Sequence, residues 1–254
     1  MDYQYIFERV ESKYVISAQQ YEDLLERCGS RIKPDVYPHS DITSIYFDTS
    51  DFLLARNSLE KPAFKEKLRL RSYGTVSKDS SVFLELKKKY KGVIYKRRQD
   101  MTYQQARNYI LFNKMPCSTQ IMQEIDYLRS NRYSLEPACL INYQRDSSTG
   151  INDSDLRITF DYDIMFATDG LCLTNRNLKP LTDQHMIIME IKTLAAMPLW
   201  LTAILNDMNI YPYNLSKYGM VYRNHIAKGG VTCSNYSPQS LQTHLVLSTI
   251  SSAH

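Results

Sequence analysis

Lys67, Arg69 and Arg71 follow one another at every second position, with Leu68 and Leu70 between them. Strand side chains alternate faces, so a strand over residues 64–74 points the three cations one way and the leucines the other. A helix would scatter both sets. The pattern recurs along the chain. Glu11 and Lys13 oppose Val10, Tyr14 and Ile16; Glu85, Lys87 and Lys89 oppose Leu84 and Leu86; and Lys96 shares a face with Arg98. Tyr143 and Arg145 share another, Arg157, Thr159 and Asp161 oppose Ile158 and Phe160, and Glu190 and Lys192 end the run from Met186.

This set suits one kind of chemistry. Arginine offers paired planar donors to phosphoryl oxygens, and lysine offers a mobile point charge, so a mixed set can hold several phosphoryl groups along a track. A sheet face that is merely wet would mix Ser, Thr, Asn and Gln among its charges, whereas cations dominate here. Crowding them costs self-repulsion and desolvation. A bound polyanion, with Glu11, Glu85, Asp161 and Glu190 as partial counterions, offsets that cost.

Helices are needed to cover the apolar faces. Ser17 and Gln20 form a capping box ahead of the stripe Tyr21, Leu24, Leu25 and Cys28, and Gly29 supplies the stop. Thr102 and Gln105 repeat the box and predict a helix over 103–112, followed by another from Ser118 to about Leu128. Pro198 with Met197, Leu201, Ile204, Leu205 and Met208 predicts a further amphipathic helix, and Ser216-Lys217-Tyr218 opens a short last one. The first strand is expected over Tyr5 to Ile16 and the second over Thr43 to Asp48, with a loop at Pro34 and Pro38. Further strands are expected over 82–90, 93–100, 138–146, 156–162 and 186–192, those from Val82 and Val93 as one hairpin turned at Lys91-Gly92.

A chain of 254 residues with 43% hydrophobic and 23% charged residues has an ordinary globular composition. Twenty tyrosines against eight glycines favour strands. The formal net charge is only +4, so anion affinity must come from charge placement. Five scattered cysteines without a Cys-x-x-Cys pair argue against a disulfide framework or a thiolate zinc site. No secretory signal or run of about 18 apolar residues is present, and a cytoplasmic protein with no intrinsic membrane segment is expected. His39, His185 and His225 stand outside metal-ligand spacing and read as surface or packed residues, and Trp200 as core. Lys88, Lys89, Lys91 and Arg97 read as including a solvated set or one at the mouth of a site, rather than direct ligands. Beyond Lys228 the chain has no Asp, Glu, Lys or Arg. Residues 229–254 are therefore expected to be a peripheral, flexible tail after one domain over 1–228.

In order and number these motifs resemble the VTC domain, the polyphosphate polymerase domain of the triphosphate tunnel metalloenzyme superfamily. The residues are Phe7 to Tyr14, Ser44-Ile45-Tyr46-Phe47-Asp48, Leu68 to Gly74, Glu85-Leu86-Lys87, Lys96-Arg97-Arg98, Arg157 to Asp161, Glu190-Ile191-Lys192 and Ser216-Lys217-Tyr218. The resemblance implies an α+β fold: an antiparallel, eight-stranded, closed β-barrel with a basic lumen, covered by amphipathic helices. It implies phosphate binding by Lys13, Arg69, Arg71, Lys87, Lys96, Arg145, Arg157, Lys192 and Lys217, to which the charged faces add Lys67 and Arg98. Arg71, Arg145, Lys217 and Glu190 are the expected catalytic residues, and Glu190 with Glu11 the expected ligands of Mn²⁺ or Mg²⁺. The substrates implied are ATP and inorganic triphosphate or polyphosphate; nucleic acid is not expected, since few aromatics interleave with the cations. Hydrolase and cyclase branches carry Glu-x-Glu-x-Lys on the first strand, where this chain has Arg9 in place of the first Glu. That departure favours the polymerase branch, with a triphosphate hydrolase or a non-catalytic polyphosphate binder as alternatives.

Overall fold

The computed structural model describes residues 10–60, 62–91, 93–183, 185–194 and 196–229. The chain begins with β1 (Val10–Ser17), α1 (Ala18–Cys28), the long β2 (Ile32–Asp48) and α2 (Leu53–Glu60). A three-stranded meander follows, β3 (Phe64–Tyr73), β4 (Ser81–Tyr90) and β5 (Val93–Thr102), then α3 (Tyr103–Phe112) and α4 (Gln120–Asp126). Next come β6 (Glu136–Gly150), β7 (Arg157–Ala167), the two-residue β8 (Lys179–Pro180), β9 (Met186–Thr193), α5 (Leu199–Asp207) and α6 (Lys217–Val221). The sheet order is β1-β9-β7-β6-β2-β3-β4-β5, with β8 beside β7. Among the described residues this order does not return from β5 to β1. The antiparallel α+β sheet expected from the sequence is present, and barrel closure is not part of the observed pairing.

The described residues group into two compact units: those within 10–41, 143–164 and 182–215 in the first, and those within 42–142, 165–181 and 216–229 in the second. In the first unit β9 pairs with β1 and β7. Tyr14, Ile16, Ile158, Phe160, Met189 and Ile191 point from the sheet into a core completed by Leu24 of α1 and Leu201 of α5. The capping box of α1 is present: Gln20 N donates to Ser17 Oγ at 3.1 Å, and Ser17 N donates to Gln20 Oε1 at 3.0 Å. Gly29 ends the helix with φ +49°, a conformation that disfavours any residue with a Cβ.

The second unit buries Ile45, Phe47, Leu68, Leu70, Leu84 and Leu86 against Ala106 and Tyr109 of α3 and Met122 and Ile125 of α4. α3 occupies the span predicted for it and begins at the Thr102 and Gln105 box. The following helix is shorter than predicted. It starts after Thr119, whose Oγ1 accepts from Met122 N, and gives way to a π-helical turn over Tyr127–Arg132.

Two features depart from the sequence reading. Pro34 and Pro38 lie inside β2 rather than in a loop. Four residues apart, their missing N–H groups fall on one strand edge and leave the other able to pair. Helix α2 was not anticipated because its cap is remote. Asp48 accepts Leu54 N and Ala55 N, both at 2.8 Å, from six and seven residues upstream. The part of the first strand before Val10, Arg9 included, and the tail from residue 230 lie outside the described residues.

Candidate functional site

In the second unit the antiparallel register builds a charged lattice. Arg69 of β3 and Arg98 of β5 stand directly across from Glu85 of β4, and Lys87 lies between Lys67 and Lys96. Glu85 is the hub, with 2% of its side chain exposed. Its Oε2 accepts Arg69 Nε at 2.8 Å and lies 2.7 Å from Arg69 Nη2. Its Oε1 accepts Arg98 Nε and Nη2 at 2.9 and 2.6 Å. Arg71 Nε and Lys96 Nζ approach within 3.8 and 3.5 Å. Burial alone would raise the Glu85 carboxyl, but Arg69, Arg71, Lys96 and the Arg98 hydrogen bond hold it far below the usual carboxylate range. Burial presses the Lys96 ammonium below its ordinary value; Glu85 opposes that effect and the guanidiniums of Arg98, Arg69 and Arg71 add to it.

Three neutral residues that the charge pattern passed over belong to this lattice. Arg71 Nε donates to Ser44 Oγ at 3.1 Å, and Arg69 Nη1 donates to the Tyr46 hydroxyl at 3.2 Å. Tyr46 stacks on Tyr218 with ring centroids 5.0 Å apart. Burial would raise its phenol, yet Arg69, Arg71 and Lys217 together bring it below its ordinary value. Tyr73 accepts from Arg98 Nη2 at 3.2 Å. Ser44 and Tyr46 share the parity of Asp48 on β2, which was the available sequence signal. Lys217 opens α6 behind the Ser216 cap, and the same Ser216 Oγ accepts Lys67 Nζ at 2.8 Å.

The first unit carries a lattice of a different balance. Lys13 faces Glu190 across the ladder and Glu11 faces Lys192, a checkerboard in which like charges are kept apart. Lys13 Nζ lies 3.4 Å from Glu11 Oε1 and donates to Leu215 O, while Lys192 Nζ is 3.1 Å from Glu190 Oε1. Burial would raise the Glu190 carboxyl; Lys192, Lys13, a hydrogen bond with Glu11 and Arg145 bring it far below its ordinary value. Arg145 is fixed by Asp161 through two bonds of 2.6 and 2.8 Å. Arg157 is 44% exposed and paired with Asp35 at 2.8 Å, a partner from the segment expected to be a loop. Thr159, across from Glu190, has a buried Oγ1 with no hydrogen-bond partner.

Glu11 and Glu190 supply carboxylate oxygens, the donors that Mg²⁺ and Mn²⁺ prefer, and the β1–β9 register sets them diagonally across the ladder. Among the described residues no group of three or more His, Cys, Asp or Glu gathers. Two carboxylates match the sparse protein coordination of a cation whose other ligands are water and substrate phosphates, so the residues fit.

The other sheet face holds a concavity of about 440 Å³ lined by Phe64, Lys88, Tyr90, Tyr95, Arg97 and Glu124. Lys88 is not simply solvated. It pairs with Glu124 and lies 3.8 Å from the buried Glu66, which also accepts the Tyr133 hydroxyl at 3.0 Å.

Within each unit the sheet buries one face under helices and carries arginines and lysines on the other. The chain belongs to the VTC domain family, whose model matches residues 8–224. Its fold is similar to that of a Bacillus halodurans protein described as a candidate adenylate cyclase, at 15% identity over 86% of this chain and 99% of that one, with a TM-score of 0.52. A Pyrococcus horikoshii protein matches at 13% identity and TM-score 0.46, covering 85% of this chain and 99% of its own. No curated protein sequence gives a significant match. Among the described residues no helix is long and apolar enough to cross a membrane.

Proposed function

We propose that the protein is a polyphosphate polymerase-type phosphotransferase that moves the γ-phosphoryl group of ATP onto inorganic polyphosphate. The observation that carries this reading is the charge excess around Glu85. Lys67, Arg69, Arg71, Lys87, Lys96, Arg98 and Lys217 belong to one unit, where Glu85 pairs with Arg69, Arg71, Lys96 and Arg98, a concentration of cations suited to a polyanion. Phosphoryl transfer depends on in-line positioning and charge neutralisation more than on covalent chemistry by the protein. An acceptor phosphate oxygen is already ionised, so no general base is required. The closed eight-stranded barrel implied by the family resemblance is part of this proposal.

Arg71, Arg145 and Lys217 are assigned to the reacting phosphoryl group. Lys13, Lys67, Arg69, Lys87, Lys96, Arg98, Arg157 and Lys192 are assigned to the flanking phosphates. Glu190, with Glu11, would hold a divalent Mn²⁺ or Mg²⁺ ion, which supplies positive charge to phosphoryl oxygens. Lys192 helps keep the Glu190 carboxylate ionised, and Lys13 pairs with Glu11.

Incubation of the purified protein with ATP and Mn²⁺, with products resolved by gel electrophoresis, tests the reading. A ladder of long phosphate chains is expected. Free phosphate alone would make the protein a hydrolase, and unchanged ATP a binder.

A further inference from the structure

We propose that the end of the basic face formed by Tyr73, Phe83 and Arg98 is a stacking platform for the base of a nucleoside triphosphate, so that the phosphates run from there toward the lysines of β3, β4 and β5. This inference rests on the phosphotransferase reading and gives its substrate a direction. Strand parity places Tyr73 beyond Arg71 on β3, and the register places Phe83 across from Arg71 and Asp100 across from Phe83. All share the face that carries Glu85. The Arg98 guanidinium lies over the Phe83 ring at 4.3 Å, and Tyr73 meets the same ring edge-on at 5.8 Å.

The plane of Arg98 is locked. Its Nε and Nη2 bond to Glu85, and Nη2 also donates to Tyr73. Those bonds fix the guanidinium in place, so that it presents its flat surface to a base while still lending positive charge to the adjoining phosphates. Arginine planes and aromatic rings both stack nucleobases. Tyr73 is 44% exposed and the Arg98 side chain 38%, so the platform is accessible. The exposed Asp100 repels phosphate and can accept from an exocyclic amino group, which favours an amino-bearing base over uracil.

Lysines hold the other end. Lys67, Lys87 and Lys96 form a row across the three strands. Lys87 is four residues from Phe83, about 13 Å at a rise of about 3.3 Å per residue. That span is of the order of an extended nucleoside triphosphate.

Calorimetric titration of the full chain with ATP, UTP and tripolyphosphate, each with Mg²⁺, tests the platform in wild type, Phe83→Leu and Asp100→Asn. Phe83→Leu keeps apolar volume and removes the ring. It should weaken ATP about tenfold relative to tripolyphosphate, and its intact tripolyphosphate binding reports an intact fold. Asp100→Asn should bring the ATP and UTP constants together. Parallel shifts of ATP and tripolyphosphate, or an unchanged ratio, would overturn the platform alone. A wild-type protein that binds no tripolyphosphate would overturn the phosphotransferase reading and this inference together.

Discussion

Glu85 shows how one residue can set the behaviour of many. With its carboxylate removed, the surrounding arginines and Lys96 repel one another in a buried setting. Glu85→Gln should therefore cost about 3 kcal/mol of unfolding free energy in phosphate-free buffer, and less when tripolyphosphate replaces the missing charge; denaturant titration with and without the anion measures both. The pH dependence follows from its depressed carboxyl. The folded group ionises below the ordinary value of 4.5, so its stabilisation is complete above about pH 4.5 and is lost as pH falls from there through the folded value. Thermal melts of the wild type should decline across that acid range, and those of Glu85→Gln should decline less. Two further substitutions test the proposed chemistry: Arg71→Ala and Glu190→Gln should each abolish turnover while circular dichroism remains native. Full activity in either would overturn the assignment.

At the scale of elements, the charged strands were readable because period-two alternation survives tertiary packing. The boxes at Ser17 and Thr102 were readable because their donors and acceptors lie three residues apart. Asp48 and Asp35 were not readable in the same way. One caps α2 from a strand end, and the other neutralises Arg157 from a segment with two prolines. Both effects depend on contacts that no local spacing encodes. Tyr46, Ser44 and Tyr73 stood in the family motifs without a role, because a search for charge passes over neutral acceptors. A cap can be tested without touching the chemistry. Ser17→Ala should lower unfolding free energy by about 1 kcal/mol in a urea titration, with ATP turnover retained.

For the whole molecule, a net charge of +4 understates the local field, since cations gather on the charged strand faces while acids such as Glu22 and Glu26 occupy the exposed side of α1. Tripolyphosphate affinity should fall steeply as ionic strength rises from about 0.05 M toward about 0.5 M, where the Debye length shrinks to a few ångströms; titrations across that series measure the slope. Sheet order and barrel closure were the least legible features. Parity tells which way each side chain points, but it carries no information about which strand lies next to which.

The buried carboxylate at the centre of the arginine lattice also bears on release. An incoming phosphate meets guanidiniums that already hold an anion, so its capture is an exchange and the net affinity is a difference between two large attractions. Each departing phosphate leaves a partner ready to take its place. In the proposed reaction, a long chain can therefore advance one unit at a time over Arg69 and Arg98 without becoming trapped, and the length of product made in each encounter is governed by how firmly Glu85 competes for them.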